Sequence, residues 1–186
     1  MATVTIREDD RTLTDEGAIS EFLGRFGIWY RRFEASDELG DNPTDEEVLT
    51  AYREPVEELM SEGGYVTADV IDVKPTTPGL QAMLDKFNKE HWHSEDEVRF
   101  IVHGRGLFHI HPEDEPVFSI EVEKGDMINV PHGTRHWFDL CEDRTIRAVR
   151  LFQDPAGWTP HYTASGEETR HIPLCFGPSF LPVKGL

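Results

Sequence analysis

Between residues 97 and 152 the chain is a series of short apolar, β-branched or aromatic runs parted by turn residues, and this pattern constrains its fold most. Residues 98–103 are followed by Gly104-Arg105-Gly106, then residues 107–111 and the turn from Pro112 to Pro116. Residues 117–123 come next, then Lys124-Gly125-Asp126, residues 127–131 and, further on, residues 145–152. Short runs at such even spacing predict antiparallel strands arranged as a sandwich or small barrel.

The first 90 residues read differently. Residues 45–62 place Val48, Leu49, Tyr52, Val56 and Leu59 near helical period, with acids in the first turn. Pro55 predicts a break or a second helix start there, and Gly63-Gly64 a stop. Residues 65–73 read as a strand, and residues 78–90 as a helix with Leu80, Met83, Leu84 and Phe87 on one face. A length of 186 residues predicts one domain. In it, residues 1–90 would flank a barrel core at 91–160, and residues 161–186 would form a tail.

Charge limits the partners. Asp and Glu number 36 against 18 Lys and Arg, a net charge of −18 that repels phosphate backbones and anionic lipid. Neither nucleic acid nor a membrane is expected as a partner, and no apolar run approaches the ~20 residues of a membrane helix. The start of the chain is acidic where a signal peptide is basic and then apolar. Two cysteines, Cys141 and Cys175, are too few for a disulfide scaffold. These features predict a reduced cytoplasmic protein in which Cys141 is a buried, inert thiol.

The nine histidines all lie between His91 and His171. In His91-Trp92-His93-Ser94-Glu95-Asp96-Glu97-Val98-Arg99, two imidazoles, a carboxylate and a guanidinium share odd positions. Extended geometry would therefore turn them to one side, unless Ser94–Asp96 breaks the alternation. A second segment, Gly125 to His136, is a strand, a Pro131-x-Gly133 turn and one more imidazole. Three His and one Glu form a nitrogen/oxygen shell suited to iron, nickel, manganese or copper, with positions left open for substrate. No Cys₄ or Cys₂His₂ spacing exists, which argues against a closed zinc site.

His-x-His, three residues, Glu, six residues, Gly is the first cupin motif, carried here by His91, His93, Glu97 and Gly104. Gly125, Pro131, Gly133 and His136 carry the second, with Leu140 where the general pattern has Asn. The runs LDKFNKEHWHSEDEVRFIVHGRGLFHI, EVEKGDMINVPHGTRHWFDL and RAVRLFQDPAGW resemble, more narrowly, the bacterial acireductone dioxygenases of methionine salvage. The resemblance covers roughly residues 1–165. It implies a mainly β fold, a cupin-type antiparallel barrel (double-stranded β-helix, jelly roll) with flanking α-helices.

The resemblance also implies a site. His91, His93, Glu97 and His136 would hold one Fe(II) or Ni(II) per chain, leaving two positions for a chelating acireductone, which reacts with O₂. Formate and the keto acid precursor of methionine are the implied products with iron. Formate, carbon monoxide and 3-(methylthio)propanoate are those with nickel. Arg99, always charged and a donor only, would stabilise the enediol dianion as the catalytic residue. Phe87, Phe138 and Trp158 would wall the methylthio pocket. Glu90 is implied in metal incorporation and Asp96 in transmitting local conformational change; both also suit hydrogen bonding to the ligands. A monomer is expected. The rival readings are another cupin enzyme, quercetinase-like or oxalate-degrading, and a non-catalytic ligand-binding cupin.

Overall fold

The strand pattern is realised in a computed structural model that describes residues 1–34, 39–173 and 175; Pro178 and Pro182 of the tail lie outside these. The elements begin with β1 (Thr3–Ile6), β2 (Arg11–Leu13), α1 (Glu16–Gly24) and β3 (Tyr30–Arg32). Next come α2 (Asp45–Ala51), α3 (Arg53–Gly63), β4 (Thr67–Val73), α4 (Leu80–Phe87) and β5 (His91–Trp92). The long β6 (Glu97–Ile110) follows, then β7 (Phe118–Glu123), β8 (Asp126–Val130), β9 (His136–Leu140), β10 (Ile146–Phe152) and β11 (His161–Tyr162). All strand pairs described are antiparallel.

The strand β6 belongs to two halves of the sheet. One half runs β11-β5-β9-β6-β7-β1-β2, and in the other β6 pairs with β8 and β10, which carry β3 and β4. Expected as two strands joined by a Gly104–Gly106 turn, this segment is instead one strand that bends without reversing. Ala148 faces Ile101 while Arg147 faces His103, so Val102 is an extra residue, a β-bulge. Gly104 follows at φ 72°, and a Cβ there would collide with the Thr145 carbonyl oxygen. The glycine is thus needed for a bend and a close approach.

The bulge swaps the two faces of β6. Before it, odd-numbered Ile101 joins the inner core; after it, even-numbered Phe108 and Ile110 do. Val98, Phe100 and Val102 face outward into a second cluster with Val48 and Tyr52 of the α2 region and Val56 and Leu59 of α3. That cluster explains why a strand carrying a polar site is buried on both sides. His103, whose number parity matches the ligands, is exposed because it lies beyond the bulge.

The helices follow their local signals. Thr44 and Glu47 form a capping box at the start of α2. The break between α2 and α3 comes at Tyr52, so that Pro55 sits in the first turn of α3, where its missing N–H costs nothing. Gly64 ends α3 in left-handed geometry. No helix among the described residues is long and apolar enough to cross a membrane.

The cysteines differ from the expectation. Cys141, buried at the end of β9, is bonded to Cys175 with a Cα–Cα distance of 5.1 Å. A count of two argues against a disulfide framework but not against one bridge, and the returning tail supplies the partner. Leu107 packs against the pair.

Candidate metal centre

The four motif residues reach one point by three routes. His91 opens β5 directly opposite His136 at the start of β9. Glu97 opens β6 opposite Val130, and the Pro131–Gly133 turn after Val130 leads the chain to His136. His93 lies between β5 and β6, and its carbonyl accepts from Gly133 N–H at 2.9 Å. The single continuous strand that parity alone would require is therefore absent: residues 93–96 part β5 from β6, and cross-strand pairing does the gathering.

One ligating atom from each of His91, His93, Glu97 and His136 lies within 4.8 Å of every other, and all four residues are buried. Each imidazole is locked in one tautomer. The Nδ1–H groups donate to the carbonyls of Lys89, Thr159 and Thr134 respectively, at 2.6, 3.3 and 2.8 Å. A carbonyl can only accept, so each Nε2 carries its lone pair. His136 Nε2 stands 3.2 Å from Glu97 Oε2, as does His93 Nε2 without hydrogen-bond alignment. The Nε2 atoms of His91 and His93 have no hydrogen-bond partner although buried. Orphaned lone pairs converging on a carboxylate are costly unless a cation takes them. The residues fit a divalent metal.

Titration preferences agree. Burial lowers the His91 pKa to about 4, with repulsion from His136 adding to it. Burial would raise Glu97, but the charge of Arg99 holds it well below the usual carboxylate range. Both therefore stand ready as a neutral imidazole and an anion. The metal-free protein is expected to lose stability as the pH falls from about 6.5 to about 4, because the unfolded His91 takes a proton that the folded one refuses. The loss is about 3 kcal/mol on this count, read as a fall in the urea midpoint between pH 7.5 and 4.5. An equal fall in His91→Gln would assign it elsewhere.

Arg99 flanks the shell, its Nε–H donating to Glu97 Oε1 at 2.6 Å while its guanidinium sits over Phe138 and Trp158 at 5.4 and 5.3 Å. Phe87, at the end of α4, has its ring 6.0 Å from His91, and Trp158 stacks on His93 at 6.1 Å. Phe87, Phe138 and Arg99 share a small cavity, and Trp158 lines the neighbouring cleft with Phe87.

Glu90 is buried and bonded to His111 Nδ1 and to the Thr163 hydroxyl. Asp96 accepts from the His132 backbone N–H at 2.9 Å, so it fastens the Pro131–Gly133 turn rather than a ligand imidazole. Of the other histidines, His109 is buried against Trp137 and bonded to Ser119, and His132 is exposed. Sequence reasoning missed Arg150, which also lines the cavity beside Arg99. The two arginines, Arg147 and Arg150, inside the otherwise apolar run of β10 were the available signal.

Comparison with known proteins agrees with this centre. The ARD/ARD' family model matches residues 7–160. An acireductone dioxygenase of Picosynechococcus sp. is 42% identical over 171 residues, covering 92% of this chain and 97% of that protein. One from Cronobacter sakazakii is 47% identical over 152 residues, covering 82% and 84%. The acireductone dioxygenase from Bacillus anthracis, solved with a cadmium ion in its active centre, superposes with a TM-score of 0.82 at 36% identity, covering 87% of this chain and 98% of that one. That superposition agrees with the cupin-type fold expected from the two motifs. With a family model spanning most of the chain and relatives of nearly its full length, the chain belongs to the ARD/ARD' family.

Proposed function

We propose that this chain is an acireductone dioxygenase. It would cleave 1,2-dihydroxy-5-(methylthio)pent-1-en-3-one with O₂, to 4-methylthio-2-oxobutanoate and formate in an Fe(II) form. A Ni(II) form would give 3-(methylthio)propanoate, formate and carbon monoxide. The observation that carries the reading is the convergence of His91, His93, Glu97 and His136 with orphaned imidazole lone pairs beside Arg99. One metal ion per chain, held by these four residues, would supply a Lewis acid that chelates and acidifies the enediol.

The chain's own groups do the rest. Arg99 stabilises the enediolate from a buried position where attraction is much stronger than in water. It cannot take the substrate's protons, since it is always a donor. The rings of Phe87, Phe138 and Trp158 exclude water from the reacting carbons and offer an apolar wall to the methylthio group. Glu90 ties the start of β5 to Thr163, and we assign it to holding His91 in place while metal loads. Asp96, fixing the turn before His136, would pass a shift at the shell to the His132 loop.

A monomer in the cytoplasm completes the reading, since a net charge of −18 opposes self-association. The test is anaerobic reconstitution with Fe(II) and with Ni(II), then acireductone, O₂ and product analysis. Keto acid and formate are expected from iron, and carbon monoxide from nickel. If neither form consumes the acireductone, the assignment fails and another metal-dependent cupin chemistry takes its place.

A further inference from the structure

The sheet sets Arg150 of β10 directly opposite Arg99 of β6, and Asp69 of β4 directly opposite Arg150. Paired residues of antiparallel strands project to the same face, so two guanidinium groups stand side by side where like charges oppose stability. Each has its own acid, but the two pairs are unlike. Arg99 and Glu97 are 6% and 2% exposed and locked together, whereas Arg150 and Asp69 are 23% and 47% exposed. Asp69 accepts two hydrogen bonds from Arg150, at 2.8 and 2.6 Å, from a position where water competes for both. Arg150 is thus the exchangeable cation of the two.

The cavities place it on a path. The inner cavity beside Arg99 measures about 30 Å³, room for roughly one water molecule. A cleft of about 330 Å³ lies outside it, lined by Lys86, Asp69 and Trp158 among others. Phe87 and Arg150 line both. A substrate that reached Arg99 through this cleft would have to displace these two side chains. The cleft also answers a charge problem. The chain as a whole repels anions, yet here Lys86 and Arg150 face Asp69 as the single lining acid among the described residues.

We propose that Arg150 is the entry and positioning residue for an anionic enediolate, releasing Asp69 to take the substrate's charge as it moves aside with Phe87. The inference rests on the acireductone reading above and deepens it. Arg150 steers the anion inward and holds it against Arg99, and the exposed Asp69 keeps the guanidinium parked between turnovers.

The experiment compares wild type, Arg150→Gln and Arg150→Lys, all nickel-loaded, at low and high salt. Acireductone kinetics are measured together with anaerobic binding of squarate, a flat enediolate dianion. In Arg150→Gln, KM rises and squarate affinity falls by roughly 10-fold or more, as for loss of a charged hydrogen bond. Metal content stays at the wild-type level, kcat moves little, and the salt dependence of kcat/KM flattens. Arg150→Lys keeps the salt dependence and recovers part of the affinity. Unchanged KM and squarate affinity in Arg150→Gln, or no squarate binding by wild type, would overturn the proposal. A fall in kcat alone would also do so. Wild type that binds squarate but leaves acireductone intact refutes the reaction assignment, and the squarate arm then decides on Arg150.

Discussion

Glu97→Gln is expected to strip the chain of its metal and to destabilise it at the same time. Glutamine preserves the shape of the side chain but removes the negative charge at which His93, His136 and Arg99 converge. Neutral ligands alone compensate a divalent cation poorly, so metal per chain after desalting should fall from near one to near zero. Arg99 is then left as a buried cation without its acid, a change that costs about 3–5 kcal/mol. The readouts are metal content by mass spectrometry and the urea midpoint, taken on the same sample. Full metal content in the variant would remove Glu97 from the ligand set, whatever the activity. A lower midpoint with metal retained would leave the carboxylate only its pairing with Arg99.

Arg99→Ala separates the metal from the chemistry. The four ligating side chains are untouched, so the variant should load Fe(II) or Ni(II) to the wild-type level. Turnover should fall by about 10²–10³-fold, the scale for deleting one fixed donor aimed at developing charge. The loss belongs in kcat, because the metal chelate still anchors the substrate while the dianion loses its buried counter-charge. Near-normal turnover by metal-loaded Arg99→Ala would show that the guanidinium only balances Glu97. Lysine at this position should restore little, since its compact charge cannot reproduce the Nε contact to Glu97 or spread over the Phe138 and Trp158 rings.

The four clustered residues were legible because three of them are local. His91, His93 and Glu97 lie within seven residues, and His136 follows a Pro-x-Gly turn whose spacing is itself a signal. The mainly β fold was legible for a similar reason, since each strand is bounded by its own turn residues. What escaped was set by contacts between distant segments. Gly104-Arg105-Gly106 has the composition of a reversal, yet β10 runs alongside and pairs on both sides of the bulge, so the strand continues. Arg150 is one of two arginines in the β10 run, and only the register of β4, β10 and β6 puts it beside Arg99. Cys141 and Cys175 stand 34 residues apart, a distance that composition cannot close.

The bulge at Val102 also bears on which changes in length the chain can absorb. Residues on either side of it face the core with opposite number parity, so removing one residue there would realign β6 as a regular strand. Glu97, Arg99, Phe108 and Ile110 would then all keep facing the interior, whereas adding or removing one residue elsewhere in β6 would turn one of these two sets away. The loop between β6 and β7 lies under no such rule, because its residues Glu113–Glu115 are exposed and pair with no strand. Length variation in this scaffold therefore belongs at that loop, and a single-residue deletion in β6 away from position 102 does damage that an insertion of several residues after Pro112 does not.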